Sequence, residues 1–326
     1  MGSHLSRCDR RPQVSAPFVS IVIPTRNGMV TLPPLLDALR QQCFESPVEI
    51  VAVDSASTDG TADLLRQRAD KVVSIRADEF NHGLTRNLAV EHTRGELVVL
   101  MVQDAMPTSD CWLAHLVAPL VADSRVAGSF ARQRARPDAS AITSYYLDRA
   151  ITGRDDSRTI AIDRATLAAL APLDRLAACT FDNVCSCIRR SVWCEHRFRP
   201  TTIAEDIEWA IEVLLAGYRL VYASEAVVLH SHDRSARYEF ARTYLLHRRL
   251  FELLEVRTIP TLPLLARAVM SSLALHWRCE RPRPLSARAF ARLGQSLSLA
   301  IAWPLGQYLG ALSAVKGWKP PQWRTV

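Results

Sequence analysis

Short apolar runs closed by polar turns alternate, through the first half of the chain, with stretches whose apolar positions recur three and four residues apart. Leu97 to Val102 carries six apolar residues without a break, three of them Val, between Gly95 and Pro107. A run of that kind reads as a strand buried on both faces, and it delivers Gln103 and Asp104 at its carboxyl end. Val19–Ile23 predicts an earlier strand ending in the turn Pro24-Thr-Arg-Asn-Gly28, and Val48–Val53 a second one opening into Asp54–Gly60. Thr31 is placed to cap a helix with Pro33 and Pro34 in its first turn and Leu35, Leu36 and Leu39 on one face. A helix over 61–69, a strand over Lys71–Ile75 and a helix from the Phe80–Asn87 segment to about His92 complete the alternation. This order predicts an α/β domain built on a parallel sheet with covering helices.

The pattern weakens further on. Ser109 or Asp110 is placed to cap a helix carrying Trp112, Leu113, Leu116 and Val117, and Val126–Phe130 reads as a strand. Residues 131–180 read as irregular except for one helix near 163–171, and Phe181–Arg190 as a strand followed by a turn. A helix over 204–217 stops at Gly217, and Arg219–Tyr222 and Ala226–His230 read as two late strands. From 238 onward the periodicity is helical. The segment 293–315 has no charged residue over 23 positions, yet it contains glycines, glutamines, serines and Pro304. Three readings stay open for it: a packed or interfacial amphipathic helix, a soluble helix pair, and a membrane span. Gly306 and Gly310 permit close helix contact. The division suggested is a loose arm over 1–17, beginning with what reads as a tag remnant, a sheet domain over 18–237, and a helical region over 238–326.

Charge sharpens that division. Of the net +7, residues 238–326 hold 13 Lys and Arg against 4 Glu, whereas the other 237 residues hold 27 against 29 acids. The basic excess belongs to the tail, where it suits an anionic membrane face. A basic binding protein without catalytic activity is the rival reading, but acid-bearing strand tips disfavour nucleic acid as its partner. The eight cysteines follow no paired framework and no apolar leader precedes the first strand, so the thiols read as reduced and the chain as cytoplasmic. Cys185-Ser-Cys187 with Cys194 lacks the spacing of a zinc site.

Four polar clusters fall at successive strand tips: Thr25-Arg26-Asn27, Asp54-Ser55, Arg86-Asn87 and Gln103-Asp104. Turns favour such residues on their own account, but the set suits a nucleotide. Asp54 can accept from a ribose or base edge, Arg86 can meet a phosphate, and Asp104 offers a hard oxygen to a divalent cation. No GxGxxG and no GxxxxGK[ST] occurs, which argues against a dinucleotide cofactor and a P-loop ATPase.

Val19-Ser-Ile-Val-Ile-Pro-Thr-Arg-Asn27 and Val53-Asp-Ser-Ala-Ser-Thr-Asp-Gly-Thr61 resemble the opening of family 2 glycosyltransferases of the GT-A fold. Phe80–Asn87, Val102–Pro107, Arg132-Gln133 with Arg136-Pro-Asp138, Phe181–Ser186 and Ala204–Trp209 are similar to the bacterial rhamnosyltransferase branch. The resemblance spans about residues 18–235. It implies inverting transfer from a nucleotide-diphosphate sugar, with L-rhamnose from dTDP-L-rhamnose favoured over another UDP- or GDP-sugar. The acceptor it implies is a glycan or lipid-linked glycan hydroxyl in surface-polysaccharide assembly, at the inner face of the plasma membrane. It further implies Mg²⁺ or Mn²⁺, donor contacts from Pro24, Thr25, Asn27, Asp54, Arg86, Gln103 and Asp104, and Asp206 as catalytic base.

Val102 and Ser55 stand where the family has acids, so metal binding falls to Asp104, with His230 and His232 as the added candidates. Both histidines read equally as polar loop residues, and Asp206, with Glu205 and Glu208, as an acid suited to a helix N-terminus. Asn183, Ser186, Glu205 and Trp209 are the acceptor-side candidates.

Overall fold

The computed structural model describes residues 18–280 and 287–319. The arm over 1–17, with its tag-like start, lies outside the described residues. In chain order the elements are β1 (Val19–Thr25), α1 (Leu32–Arg40), β2 (Val48–Ser55), α2 (Thr61–Arg68), β3 (Lys71–Ile75), α3 (His82–Glu91) and β4 (Leu97–Met101). There follow β5 (Met106–Pro107), α4 (Trp112–Ala122), β6 (Val126–Arg134), α5 (Ala141–Arg149), β7 (Arg158–Ile160), α6 (Arg164–Ala169), α7 (Pro172–Ala178), β8 (Cys185–Arg189) and α8 (Arg190–Glu195). The chain ends with α9 (Glu205–Leu215), β9 (Arg219–Leu229), α10 (Ala236–Leu254), α11 (Leu262–Glu280) and α12 (Ala287–Val315).

Among the described residues nine strands form one sheet, in the order β3-β2-β1-β4-β8-β6-β9-β5, with β7 added along β9. The half β3-β2-β1-β4 is parallel, as the alternation predicts. Beyond β4 the sheet is mixed rather than parallel throughout: β8 runs antiparallel to both β4 and β6, and β6 runs parallel to β9. Every residue of β4 is buried, and its side chains divide by alternation. Leu97, Val99 and Met101 join the core under α1 and α4, while Val98 and Leu100 join the core that contains Trp193, Trp209 and Tyr222. Each such side chain contributes about 1.5–3 kcal/mol relative to exposure, so a central strand of this kind fixes its own register.

Several local expectations are corrected. Residues 131–180 hold the end of β6, a three-residue strand and three short helices. The segment 181–190 is a turn followed by a strand, and the two late strands are one long β9 whose pairing with β6 slips between Ala131 and Arg132. Thr31 and Asp110 make no side-chain cap: Thr31 Oγ1 instead donates to the Gly28 carbonyl, and Cys111 is the residue that precedes α4. Among the described residues Cys43, Cys179, Cys185, Cys187, Cys194 and Cys279 are free.

No helix among the described residues is long and apolar enough to cross a membrane, which removes the span reading of 293–315. That stretch lies within one continuous helix, α12, which also takes up Pro304. α12 packs on α10 through its two glycines. A Cβ at Gly310 would stand 2.2 Å from the Tyr244 carbonyl oxygen, and one at Gly306 3.0 Å from that of Phe240. The obstacle at Gly310 is backbone, which cannot swing aside. α10 is in turn tied to α9 by Arg249 and Glu208 at 2.8 Å, and its Leu250 and Leu254 enter the core of the sheet. Gly310→Val is therefore expected to lower unfolding stability by about 1–3 kcal/mol, the usual range for forced overpacking. Urea titration followed by circular dichroism would measure it, and an unchanged midpoint would show that α12 does not press on α10.

Candidate active site

Strand pairing brings the metal-ligand candidates together. The two residues of β5 pair with Leu229 and Val228 at the end of β9, so Asp104 and the residues after Leu229 share one sheet edge. His230 donates its backbone N–H to the Arg134 carbonyl at 2.9 Å, which fixes where its ring emerges. One ligand atom from each of Asp104, His230 and His232 then lies within 4.8 Å of the others. His232 Nε2 is 3.2 Å and His230 Nε2 3.8 Å from the Asp104 carboxylate. Arg136 braces this turn from the side, donating to the Asp104 carbonyl at 2.5 Å.

The His230 ring is oriented from behind by Gln133 of β6. The Gln133 amide donates to Asp182 Oδ2 at 2.7 Å, and a carboxylate oxygen only accepts. Its Oε1 therefore faces His230 Nδ1, at 3.1 Å, and must accept from it. The proton sits on Nδ1, and the Nε2 lone pair is turned toward Asp104. Burial, ahead of the opposing pull of Asp104, holds the His230 pKa down to about 4, so the ring is neutral at neutral pH. His232 is shifted downward for the same leading reason.

Asp182 carries the network to the carboxylates of α9. Ala204, just before this helix, holds a left-handed conformation at φ 61°. Such a backbone is costly for alanine, and here it swings the first turn of α9 inward. Asp206, partly exposed, accepts from the backbone N–H groups of Ile207 at 2.8 Å and Asn183 at 3.3 Å. Burial first, then the charges of Glu205 and Asp182, push its pKa well above the usual carboxylate range. Burial also opposes the charge on Glu205, but Arg86 at 2.9 Å, with His82 and Asn183, outweighs it and holds Glu205 below its ordinary value. Two adjacent acids are thus set apart: Glu205 is an ion-pair partner, and Asp206 is a strengthened base.

The other expected contacts have partners within the chain. Arg86 is buried against Glu205. Asn183 and Ser186 hydrogen-bond to each other beneath the surface, and Trp209 is buried with Nε1 donating to the His196 carbonyl. Gln103 bridges to the backbone of Arg26 at both ends, at 2.9 and 3.0 Å, clamping the β1 tip to the β4 tip. Asp54 is almost wholly buried and accepts from the Ser57 N–H at 3.2 Å, with Thr25 Oγ1 at 3.5 Å. Asn27 accepts from the Thr58 N–H at 2.9 Å, and Pro24 lies opposite Val53 on the neighbouring strand. Ser55 Oγ is buried there without a partner.

Gln133, Asp182 and Arg136 gain a role only in the folded chain. An amide and an acid in a turn carry no chemical signal until the fold joins them to a histidine.

A family model described as glycosyl transferase family 2 matches residues 20–165. An O-antigen chain rhamnosyltransferase of Salmonella typhimurium is 31% identical over 230 residues, covering 69% of this chain and 70% of that one. A second, from Salmonella anatum, is 28% identical over 238 residues, with 70% of each covered. Among solved structures, a mannosyltransferase from Pyrobaculum calidifontis in complex with GDP-Man and Mn²⁺ superposes with a TM-score of 0.59 at 21% identity, covering 92% and 87%. Glucosyl-3-phosphoglycerate synthase from Mycobacterium tuberculosis, with Mn²⁺, UDP and glucosyl-3-phosphoglycerate, gives 0.54 at 18% identity, covering 78% and 88%. These likenesses show the GT-A fold.

The buried pair yields a stability test. Arg86→Met strands Glu205 and is expected to cost about 3–5 kcal/mol, whereas Arg86→Met with Glu205→Met should recover most of that loss. Chemical denaturation of the two variants checks this, and equal losses would mean that the pair is not the source.

Proposed function

This chain belongs to glycosyltransferase family 2 and is a glycosyltransferase, and we propose that it moves L-rhamnose from dTDP-L-rhamnose onto a hydroxyl of a glycan or lipid-linked glycan, with inversion, in surface-polysaccharide biosynthesis. The observation that carries the chemistry is the hydrogen-bonded path from His230, whose Nε2 stands 3.8 Å from Asp104, through Gln133 to Asp182, whose charge bears on Asp206. The choice of sugar and pathway is supported by the likeness to two O-antigen chain rhamnosyltransferases.

Asp206 takes the proton of the acceptor hydroxyl as that oxygen bonds to the anomeric carbon. The bond from that carbon to the diphosphate breaks in the same displacement, and the nucleoside diphosphate leaves. One base suffices, because no covalent sugar intermediate forms. Asp104, His230 and His232 would hold a divalent cation. When bound, it offsets the charge growing on the departing diphosphate. One carboxylate with two neutral imidazoles suits Mn²⁺ better than Mg²⁺, which prefers oxygen ligands throughout. Thr25, Asn27, Asp54 and the unpartnered Ser55 Oγ frame the nucleoside side, held in place by Gln103.

A thermal-shift panel of dTDP, UDP and GDP with and without Mn²⁺ tests the donor. Stabilisation by dTDP with Mn²⁺, reduced about tenfold or more in apparent affinity in His232→Ala, is the expected result. Response to UDP or GDP alone would move the proposal to another donor. Asp206→Asn should bind dTDP as the parent does and lose turnover by at least about 10²-fold.

We also propose peripheral contact with the inner face of the plasma membrane. α11, of which only Ser272 and His276 are buried, exposes Leu262, Met270 and Trp277, and Phe290 of α12 and Trp318 after it are also exposed. Arg267, Arg278, Arg292 and Lys316 are interspersed, a composition suited to anionic headgroups at about 1 kcal/mol per cation near the surface. Flotation with phosphatidylglycerol vesicles is expected, with loss in Met270→Ser plus Trp277→Ser. Equal flotation with neutral phosphatidylcholine, or none with either, would sink the idea.

A further inference from the structure

α5, α10, α11 and α12 surround a cavity of about 500 Å³ that the transfer steps leave unused. Tyr146 and Trp303 line it, their rings edge to face with centroids 5.1 Å apart. Glu239, Arg242, Ser271 and Gln307 line it as well, and Trp303 Nε1 donates to Glu239 Oε2 at 3.2 Å, which sets both groups in the wall. Behind the aromatic pair stands His276, fully buried, with ring centroids 6.1 Å from Tyr146 and 5.4 Å from Trp303. Its Nδ1 lies 2.9 Å from Ser296 Oγ, while its Nε2 has no hydrogen-bond partner.

The size falls within the roughly 300–1,000 Å³ of small-molecule sites. The lining selects among occupants. An isoprenoid chain would bury Glu239, Arg242 and Gln307 against hydrocarbon without replacing their water, which is costly. A nucleotide would bring its phosphates toward Glu239. A sugar ring fits both aspects: its C–H face covers an aromatic side chain, and its hydroxyls both donate to Glu239 and accept from Arg242 and Gln307.

The cavity also adjoins the transfer site. Arg242 is close enough to Asp182, His230 and His232 for its charge to bear on all three. At the start of α5, Ser140 and Thr143 hydrogen-bond to Asp233, next to His232. Tyr146 follows one helical turn later on the same face.

We propose that this cavity is an acceptor subsite, holding a sugar ring of the acceptor saccharide other than the ring whose hydroxyl is glycosylated. The proposal rests on the glycosyl-transfer reading and assigns acceptor selection to the C-terminal helices.

Saturation-transfer NMR on the full chain tests it, with methyl glycosides of L-rhamnose, D-mannose and D-galactose as probes. At least one should show transfer that persists in the presence of dTDP and Mn²⁺. Gln307→Ala and Glu239→Gln should each weaken that glycoside by about tenfold, the effect of one lost hydrogen bond, while leaving the thermal shift by dTDP unchanged. No transfer to any glycoside, signals untouched by both substitutions, or displacement of the glycoside by farnesol would each overturn the subsite. Glycoside binding that depends on Gln307 in a chain that responds to no nucleotide would instead overturn the transfer reading and leave the pocket standing.

Discussion

The Gln133 carboxamide is the joint on which the site depends. It has one acceptor and one donor end, and the structure commits both, to His230 at 3.1 Å and to Asp182 at 2.7 Å. With Asp182 ionised it only accepts, so the amide has one workable orientation, and that orientation sets the His230 tautomer. The alternative tautomer would set two lone pairs against each other in a largely desolvated place. A neutral residue near the end of β6 therefore decides that Nε2, and not Nδ1, is presented to Asp104. β6 can do this because it lies between β8 and β9, the strands that bring Asp182 and His230 to the same level.

Charge placement follows from the same geometry. Asp182, Glu205 and Asp206 crowd one region, and three ionised carboxylates there would repel strongly. Arg86 neutralises Glu205 directly, at 2.9 Å, so the remaining repulsion and the burial fall on Asp182 and Asp206. Replacing the buried ion pair by apolar residues need not harm the fold. Its value lies elsewhere. It holds a charge-neutralised acid next to Asp206, and it ties down the first turn of α9 after the strained Ala204.

What could be read from the chain divides along physical lines. β1 to β4 announce themselves because strands covered on both faces are continuous apolar runs, and the polar residues at their tips stand out against them. Asp104, Asp206, His230 and His232 could be named as candidates for that reason, together with a resemblance that attached chemistry to them. The region 131–180 was not legible, because α5, α6 and α7 are short and bury one residue, one and none, leaving little periodicity. β9 looked like two strands because Ser224 and Glu225 interrupt its apolar pattern where the ladder with β6 slips. Arg86 is a different case: its type and place suited a phosphate, and only the fold shows that Glu205 is its partner within the chain.

The C-terminal helices read as an attachment by composition, yet their contacts make them part of the same cooperative body. Arg249 reaches Glu208, two residues from the proposed base, and Leu250 and Leu254 lie in a core shared with Val98 and Trp209. α12 is held to α10 by glycines that let the backbones approach, a contact that gains from shape rather than from long side chains. Cutting the chain near 238 would expose that core, and any lost activity would report unfolding before it reported a lost membrane or acceptor contact. α11 is different: only Ser272 and His276 of its nineteen residues are buried. Substitutions on its outer face can separate surface roles from stability, and that asymmetry is what makes the membrane and acceptor roles of these helices separable by experiment.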